Sequence, residues 1–287
     1  MKAIPVRQIT SASNGQGNAG RFSIRDVQQI LNGNDLVHDL HKHSFFFVLA
    51  LQQAKGIHEI DFIQYEAHDN AVFIVRPGQV HRLELSADST GFLMEFDHTF
   101  YQPQHSITSR RWRKAVNKNH CEAEAARFLK LQSILRSIMN EHSTKQEGYA
   151  EAIKAHLDLF FIEYTRQSHN PGVIANNANG YMHERFDEFM QLLEANIGVM
   201  KNVSQYAGLL NLSLYQLNAI TKSAVGKTVS DLINEQIILE AKRHLLATPD
   251  QIKDIADHLG YEDTSYFIRF FKKQTGSSPE AFRKNFK

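Results

Sequence analysis

The chain has 287 residues, of which 42% are hydrophobic and 22% charged, a globular composition with room for two domains of ordinary size. One cysteine, Cys121, excludes a framework of intrachain disulfides and suits a reducing compartment; its expected part is that of a small, passive side chain. A formal net charge of +1 excludes a chain that is basic throughout, and no stretch approaches the roughly 20 apolar residues of a membrane helix.

In chain order, the first segment has Lys2 and Arg7 but then runs "QITSASNGQGNAG", without the apolar core of a secretory signal, so a cytoplasmic location is expected. The glycines of "SASNGQGNAG" (11–20) lie in a polar stretch, not between a strand and a helix, and do not read as a phosphate loop. To about residue 100 the pattern is strand-like. "SFFFVLAL" (44–51), "GIHEIDFIQYEA" (56–67), "NAVFIVRPGQVHRLEL" (70–85) and "GFLMEF" (91–96) are β-branched or aromatic runs broken by Gly, Pro, Asn and Asp. Short strands so closely spaced predict a small barrel or sandwich.

The period then changes to that of a helix. In 122–142 the residues Ala125, Phe128, Leu131, Leu135 and Ile138 recur every three or four positions, and in 147–166 so do Tyr149, Ile153, Leu157, Phe160 and Tyr164. These predict two amphipathic helices joined by a polar loop around Ser143–Gln146. "SHNPGVIANNANG" (168–180) is the best domain boundary, and the chain after it reads as helical to its end. Residues 197–287 hold 12 Lys+Arg and 9 Asp+Glu, a local excess of +3 that leaves −2 for residues 1–196.

That last part contains a repeat at a shift of 50 residues. "SLYQLNAITKSAVGKT" (213–228) lies over "DTSYFIRFFKKQTGSS" (263–278): Ser213 meets Asp263, Leu217 meets Phe267, Ile220 meets Phe270, Lys222 meets Lys272 and Gly226 meets Gly276. Upstream, Ala207 and Leu210 match Ala256 and Leu259 at a shift of 49. Each copy reads as helix, tight turn, helix, with a cap, an apolar face and a terminating glycine in the second helix. Between the copies, "TVSDLINEQIILEAKRHLLATP" predicts one continuous helix, with Thr228 and Asp231 at capping-box spacing and Pro249 beyond its end. About 18 residues of it would span about 27 Å, close to the roughly 34 Å between successive major-groove segments.

The stretch "IKDIADHLGYEDTSYFIRFFKKQTGSSPEAFR" (252–283) closely resembles the signature of the AraC/XylS family of transcription regulators, and the resemblance extends over about 181–287. It implies two helix-turn-helix subdomains on a shared long helix, bound to double-stranded DNA. By position, Ser213–Lys222 would be the first recognition helix and Asp263–Lys273 the second, with Ser213, Tyr215, Gln216, Asn218 and Lys222 in one contact set and Thr264, Ser265, Arg269, Lys272 and Lys273 in the other. Gln216 and Asn218 suit adenine and Arg269 suits guanine, while Lys272 and Lys273 suit phosphates. The first copy departs from the family pattern, with Ala219 where an arginine is common and Thr221 where a ring is usual.

Histidines mark the strand-rich half. His41 and His43 alternate on one strand, and His81 follows the Pro77–Gly78 turn. The order resembles a cupin barrel, whose metal-binding members use two such histidines, a following glutamate and a later histidine. No glutamate follows His43, and His58 and Glu59 come too late for the usual spacing. Barrels of this kind often serve AraC/XylS regulators as sensing domains without metal. No metal and no cofactor are therefore expected, and His41, His43, Phe47, Phe73 and His81 are expected to line an effector pocket.

The resulting expectation is an α+β protein. It has a cupin-like β-barrel over 1–120, a helical pair for dimerisation or barrel packing over 121–168, a linker over 169–180, and an all-α double helix-turn-helix domain over 181–287. The expected function is a sequence-specific, small-molecule-responsive regulator, more often an activator in this family, homodimeric, and in contact with RNA polymerase if it activates. Two alternatives stay open: a metal-dependent cupin enzyme with an appended DNA-binding domain, and a DNA-binding regulator with no small ligand. The sequence shows no GxSxG, P-loop or CxxC motif, and no enzymatic activity or membrane contact is expected.

Overall fold

The structure, a computed structural model, describes residues 6–7, 9, 20–103, 106–167 and 177–285. The glycine-containing stretch at 11–19 and most of the expected boundary loop, 168–176, lie outside the described residues. Two compact units emerge, one covering Pro5–Pro171 and the other containing Gly172–Lys287.

The first unit runs β1 (Val6–Arg7), β2 (Phe22–Asp26), α1 (Val27–Leu31), β3 (Leu36–His43), β4 (Phe46–Gln53), β5 (Gly56–Ile60), β6 (Ile63–Ala67), β7 (Ala71–Val75), β8 (Val80–Leu85), β9 (Thr90–Phe96), α2 (Ser106–Val116), β10 (His120–Glu122), α3 (Ala125–Thr144) and α4 (Tyr149–Gln167). The strands form two five-stranded sheets, ordered β1-β3-β8-β5-β6 and β10-β7-β4-β9-β2. Among the described residues, only the two-residue β1 pairs in parallel, with β3. The cupin-like, strand-rich half thus has the form the sequence implied. It extends past residue 100, because β10 adds to β7 at the sheet edge; three residues are too few for alternation to show.

Strand period two explains how the second sheet is covered on both faces. On β4, Phe47, Leu49 and Leu51 point into the core between the sheets with Phe73 and Val75 of β7 and Leu83 and Leu85 of β8. Their neighbours Phe46, Val48 and Ala50, with Val72 and Ile74, point the other way, into a second core shared with the helices. There α3 contributes Phe128, Leu131, Leu135 and Ile138, and α4 contributes Ile153, Leu157, Phe160, Phe161 and Tyr164. A sheet buried on both faces reads as continuous apolar runs, as "SFFFVLAL" does.

The second unit is all helical: α5 (Asn177–Asn196), α6 (Val203–Leu209), α7 (Leu214–Val225), α8 (Val229–Ala247), α9 (Ile252–His258), α10 (Thr264–Thr275) and α11 (Pro279–Asn285). Helix α5 begins inside the stretch expected to be loop, at Asn177. The long helix α8 packs on α5 and α7 on one side of the sequence and on α9, α10 and α11 on the other. Its N-cap Thr228 accepts from Asp231 N–H, and Asp231 closes the capping box foreseen from the sequence.

Candidate nucleic-acid interface and histidine cluster

The 50-residue repeat is a repeat of hydrogen bonds. Ser213 Oγ accepts the backbone N–H of Gln216, and Asp263 accepts that of Ser265. Each second helix ends on a left-handed glycine, Gly226 donating to Lys222 O and Gly276 to Lys272 O, both at 2.9 Å. The turns repeat as well: Leu212 N–H donates to Ala207 O and Tyr261 N–H to Ala256 O, again both at 2.9 Å. Ala207 and Ala256 are buried at the crossing of the paired helices.

The apolar face of α7 is Leu217, Ile220 and Thr221, all buried. On α10 Phe267 and Phe271 are fully buried, whereas Phe270 is half-buried against Tyr261. Phe271 also meets Phe282 of α11, and Arg283 Nε donates to Leu245 O at 2.8 Å, fastening α11 to the end of α8.

The opposite faces are open. Tyr215 is 84% exposed, and Ser213, Gln216, Lys222, Ser265, Lys272 and Lys273 are also exposed, with Thr264 half-buried. The Arg269 side chain is 71% exposed, 4.0 Å from Asp263, a surface ion pair too weak to hold it from another partner. Tyr266, 55% exposed on α10, belongs to the same surface and was not singled out from the sequence, although it stands off the Phe267–Phe271 face of "DTSYFIRFF".

Besides Ser213, the N-cap of α7, two more of the expected contact residues have structural duties. Gln216 Oε1 accepts the N–H of Ser213, completing a capping box. Asn218 is tied at both ends of its amide, Nδ2 donating to Leu214 O and Oδ1 accepting from Val229 N–H, each at 3.1 Å. Half-buried Asn218 joins α7 to the start of α8, so a base contact would cost it both bonds.

In the first unit the five expected pocket residues do come together. His41 and His81 are register partners on β3 and β8. His41, His43, Phe47, Phe73 and His81 are all at most 4% exposed. A sixth residue, His58 of β5, completes the group: its Nε2 lies 2.9 Å from His81 Nδ1, while His81 Nε2 lies 2.7 Å from His43 Nε2. Phe47 stacks on His43 and Phe73 tilts against His58. The His41 ring centroid lies 4.3 Å from that of His81 and 4.7 Å from that of His43. Rings this close leave no room between them for an organic molecule.

Burial, and then the neighbouring His41, His120 and His43, push His58 down to about 3. Burial and the surrounding histidines hold His81 well below the ordinary value too. Both rings are neutral at physiological pH, so each has one donor and one acceptor nitrogen. The potential ligand atoms of His41, His43 and His81 all lie within 4.8 Å of one another. A second such group, His68, His120 and Glu122, lies in a less buried place where β10 meets the β6–β7 turn.

A helix-turn-helix domain family matches residues 206–285. The transcriptional activator RhaR of Yersinia pseudotuberculosis is 19% identical over 257 residues, covering 86% of this chain and 84% of its own. The uncharacterized HTH-type regulator YfiF of Bacillus subtilis is 22% identical over 262 residues, covering 86% and 79%. Among solved structures, ToxT of Vibrio cholerae aligns over 93% of this chain and 98% of its own, with 15% identity and a TM-score of 0.43. A doubled, capped helix-turn-helix with two open polar faces, in a chain that a helix-turn-helix family matches over residues 206–285 and that transcriptional regulators match over 86% of its length, is that of a DNA-binding transcriptional regulator.

Proposed function

We propose that the chain reads a specific operator with α7 and α10 and that the first unit senses a ligand that changes this reading. The carrying observation is the doubling: the same cap, terminating glycine and buried apolar face in both helices, each backed against α8. Helices so anchored can enter adjacent major-groove segments. Arg269 takes a guanine, Tyr215 and the amide NH2 of Gln216 contact the first half-site, and Lys222, Lys272 and Lys273 neutralise phosphates. Ser213, Thr264 and Ser265 stand at the helix starts, where backbone N–H groups and hydroxyls meet the phosphate backbone. Asn218 acts through the fold.

In this reading the protein is a cytoplasmic homodimer without enzymatic activity. Like the RhaR relative, named an activator, it activates transcription in contact with RNA polymerase. Ligand in the barrel shifts the population of dimers competent to hold two half-sites. The ligand site is the cluster of His41, His43, Phe47, Phe73 and His81.

Genome-wide footprinting tests the reading, with protected sites expected to share a motif of two elements about 10–10.5 base pairs apart. Arg269→Ala is expected to relax preference at one base pair by about 1–3 kcal/mol. Lys272→Ala is expected to weaken every sequence and lower the salt slope by about one. Salt-dependent binding without sequence preference overturns the proposal.

A further inference from the structure

We infer that His41, His43 and His81 form a binding site for one first-row divalent transition-metal ion, with His58 as the residue that orients His81. The inference rests on the reading above, in which this cluster is the ligand site, and it names the class of ligand.

Three observations carry it. First, the rings of His41, His43 and His81 pack against one another, with centroids 4.3 to 4.7 Å apart, and their nitrogens converge. The separation of 2.7 Å between His81 Nε2 and His43 Nε2 brings two imidazole nitrogens to a common point, and all three potential ligand atoms lie within 4.8 Å. An ion about 2.0–2.1 Å from each nitrogen needs only small ring movements.

Second, hydrogen bonds set the tautomers. His41 Nδ1 lies 2.7 Å from Asp39 O. A carbonyl only accepts, so Nδ1 carries the proton, and in the neutral ring Nε2 is the nitrogen with the lone pair. Likewise, if His81 donates Nδ1–H to His58 Nε2, its own Nε2 has the lone pair directed at His43. This is the arrangement of metal-bound histidines, whose second nitrogen donates to a fixed acceptor. Here a backbone carbonyl serves His41, and an imidazole serves His81. His58 then carries its proton on Nδ1, a buried atom that has no hydrogen-bond partner. On binding, His43 takes the Nδ1–H tautomer, which turns the lone pair of its Nε2 to the ion.

Third, the donor set is all imidazole. It suits Zn2+, Ni2+, Co2+, Cu2+ or Fe2+ and disfavours Mg2+ and Ca2+, which take oxygen. Three protein ligands leave a fourth position for water or a small anion.

The test uses the full-length protein stripped with a chelator, then titrated with Zn2+ by calorimetry and with Co2+ by visible absorbance. One equivalent is expected to bind. His43→Ala is expected to weaken binding at least 100-fold, and His58→Gln by about 10–100-fold with the stoichiometry unchanged. His68→Ala, at the second, more open cluster, is expected to leave it unchanged. X-ray absorption at the zinc edge of the wild-type protein, which needs no variant to fold, is expected to show three imidazoles. Binding only at millimolar metal, equal binding by wild type and His43→Ala, loss in His68→Ala alone, or an oxygen-only shell each overturns the inference. A stripped protein that footprints a specific operator yet takes no metal refutes this inference alone. A protein that takes metal yet shows no sequence preference refutes the operator reading alone.

Discussion

At the scale of single residues, the same chemistry serves different ends according to where its partners lie. Asn218 and Gln216 are both amides on an open helix, and both suit adenine from sequence. Val229 N–H and Leu214 O occupy both ends of Asn218, so its loss leaves an orphaned donor at the first turn of α8. Asn218→Ala is expected to cost about 1–3 kcal/mol of stability in thermal or denaturant unfolding. Its operator preference is expected to match that of wild type in competition binding; a changed preference at one base pair would return Asn218 to the contact set. His58 shows the reverse. In the sequence it comes too late for the glutamate of a cupin site, yet β5 lies beside β8 and brings it to His81. Spacing along the chain says little about a neighbour delivered by strand pairing.

At the scale of elements, local signals carry furthest in the helices. Ser213, Thr228 and Asp263 cap the helices that begin after them, and Gly226 and Gly276 end α7 and α10. Gly260 has a different demand. It sits at φ +71 in the turn before α10, and a Cβ there would overlap the carbonyl oxygen of Gly198 in the α5–α6 turn. Lys201 closes the same contact, donating to Gly260 O at 2.8 Å with its ammonium 4.8 Å from the Tyr261 ring centre. This joins the two helix-turn-helix subdomains directly as well as through α8. Gly260→Ala is expected to destabilise the second unit by more than about 1 kcal/mol, from the strained backbone and the lost approach together. Calorimetry should show a lower melting transition for that unit, and an unchanged transition would show that the turn relaxes freely.

At the scale of the whole molecule, each unit is organised around a shared element, the β10-β7-β4-β9-β2 sheet in the first and α8 in the second. The helical pair α3–α4 buries its apolar stripe on that sheet, so the pair is part of the barrel's own core whatever else it touches. Leu135→Ala is expected to cost about 2–5 kcal/mol in the first unit. The loss should persist on dilution, as followed by unfolding at several protein concentrations. A loss that disappears on dilution would assign the stripe to a partner subunit. The helix α8, 19 residues or about 28 Å long, lies between α7 and α10, the helices proposed to enter the grooves.

The sequence by itself determined the second unit almost completely: caps, terminating glycines, the small residues at both crossings and the long helix between. These are interactions within about four residues, so their signals lie side by side in the chain. The resemblance to AraC/XylS regulators rested on the same local code. Tertiary structure alone decided that β10 edges its sheet, that the Asn218 amide ties α7 to the start of α8, and that His58 joins His41, His43 and His81. The physical reason is that strand register joins residues tens of positions apart, and its free energy depends on which faces meet in the folded chain.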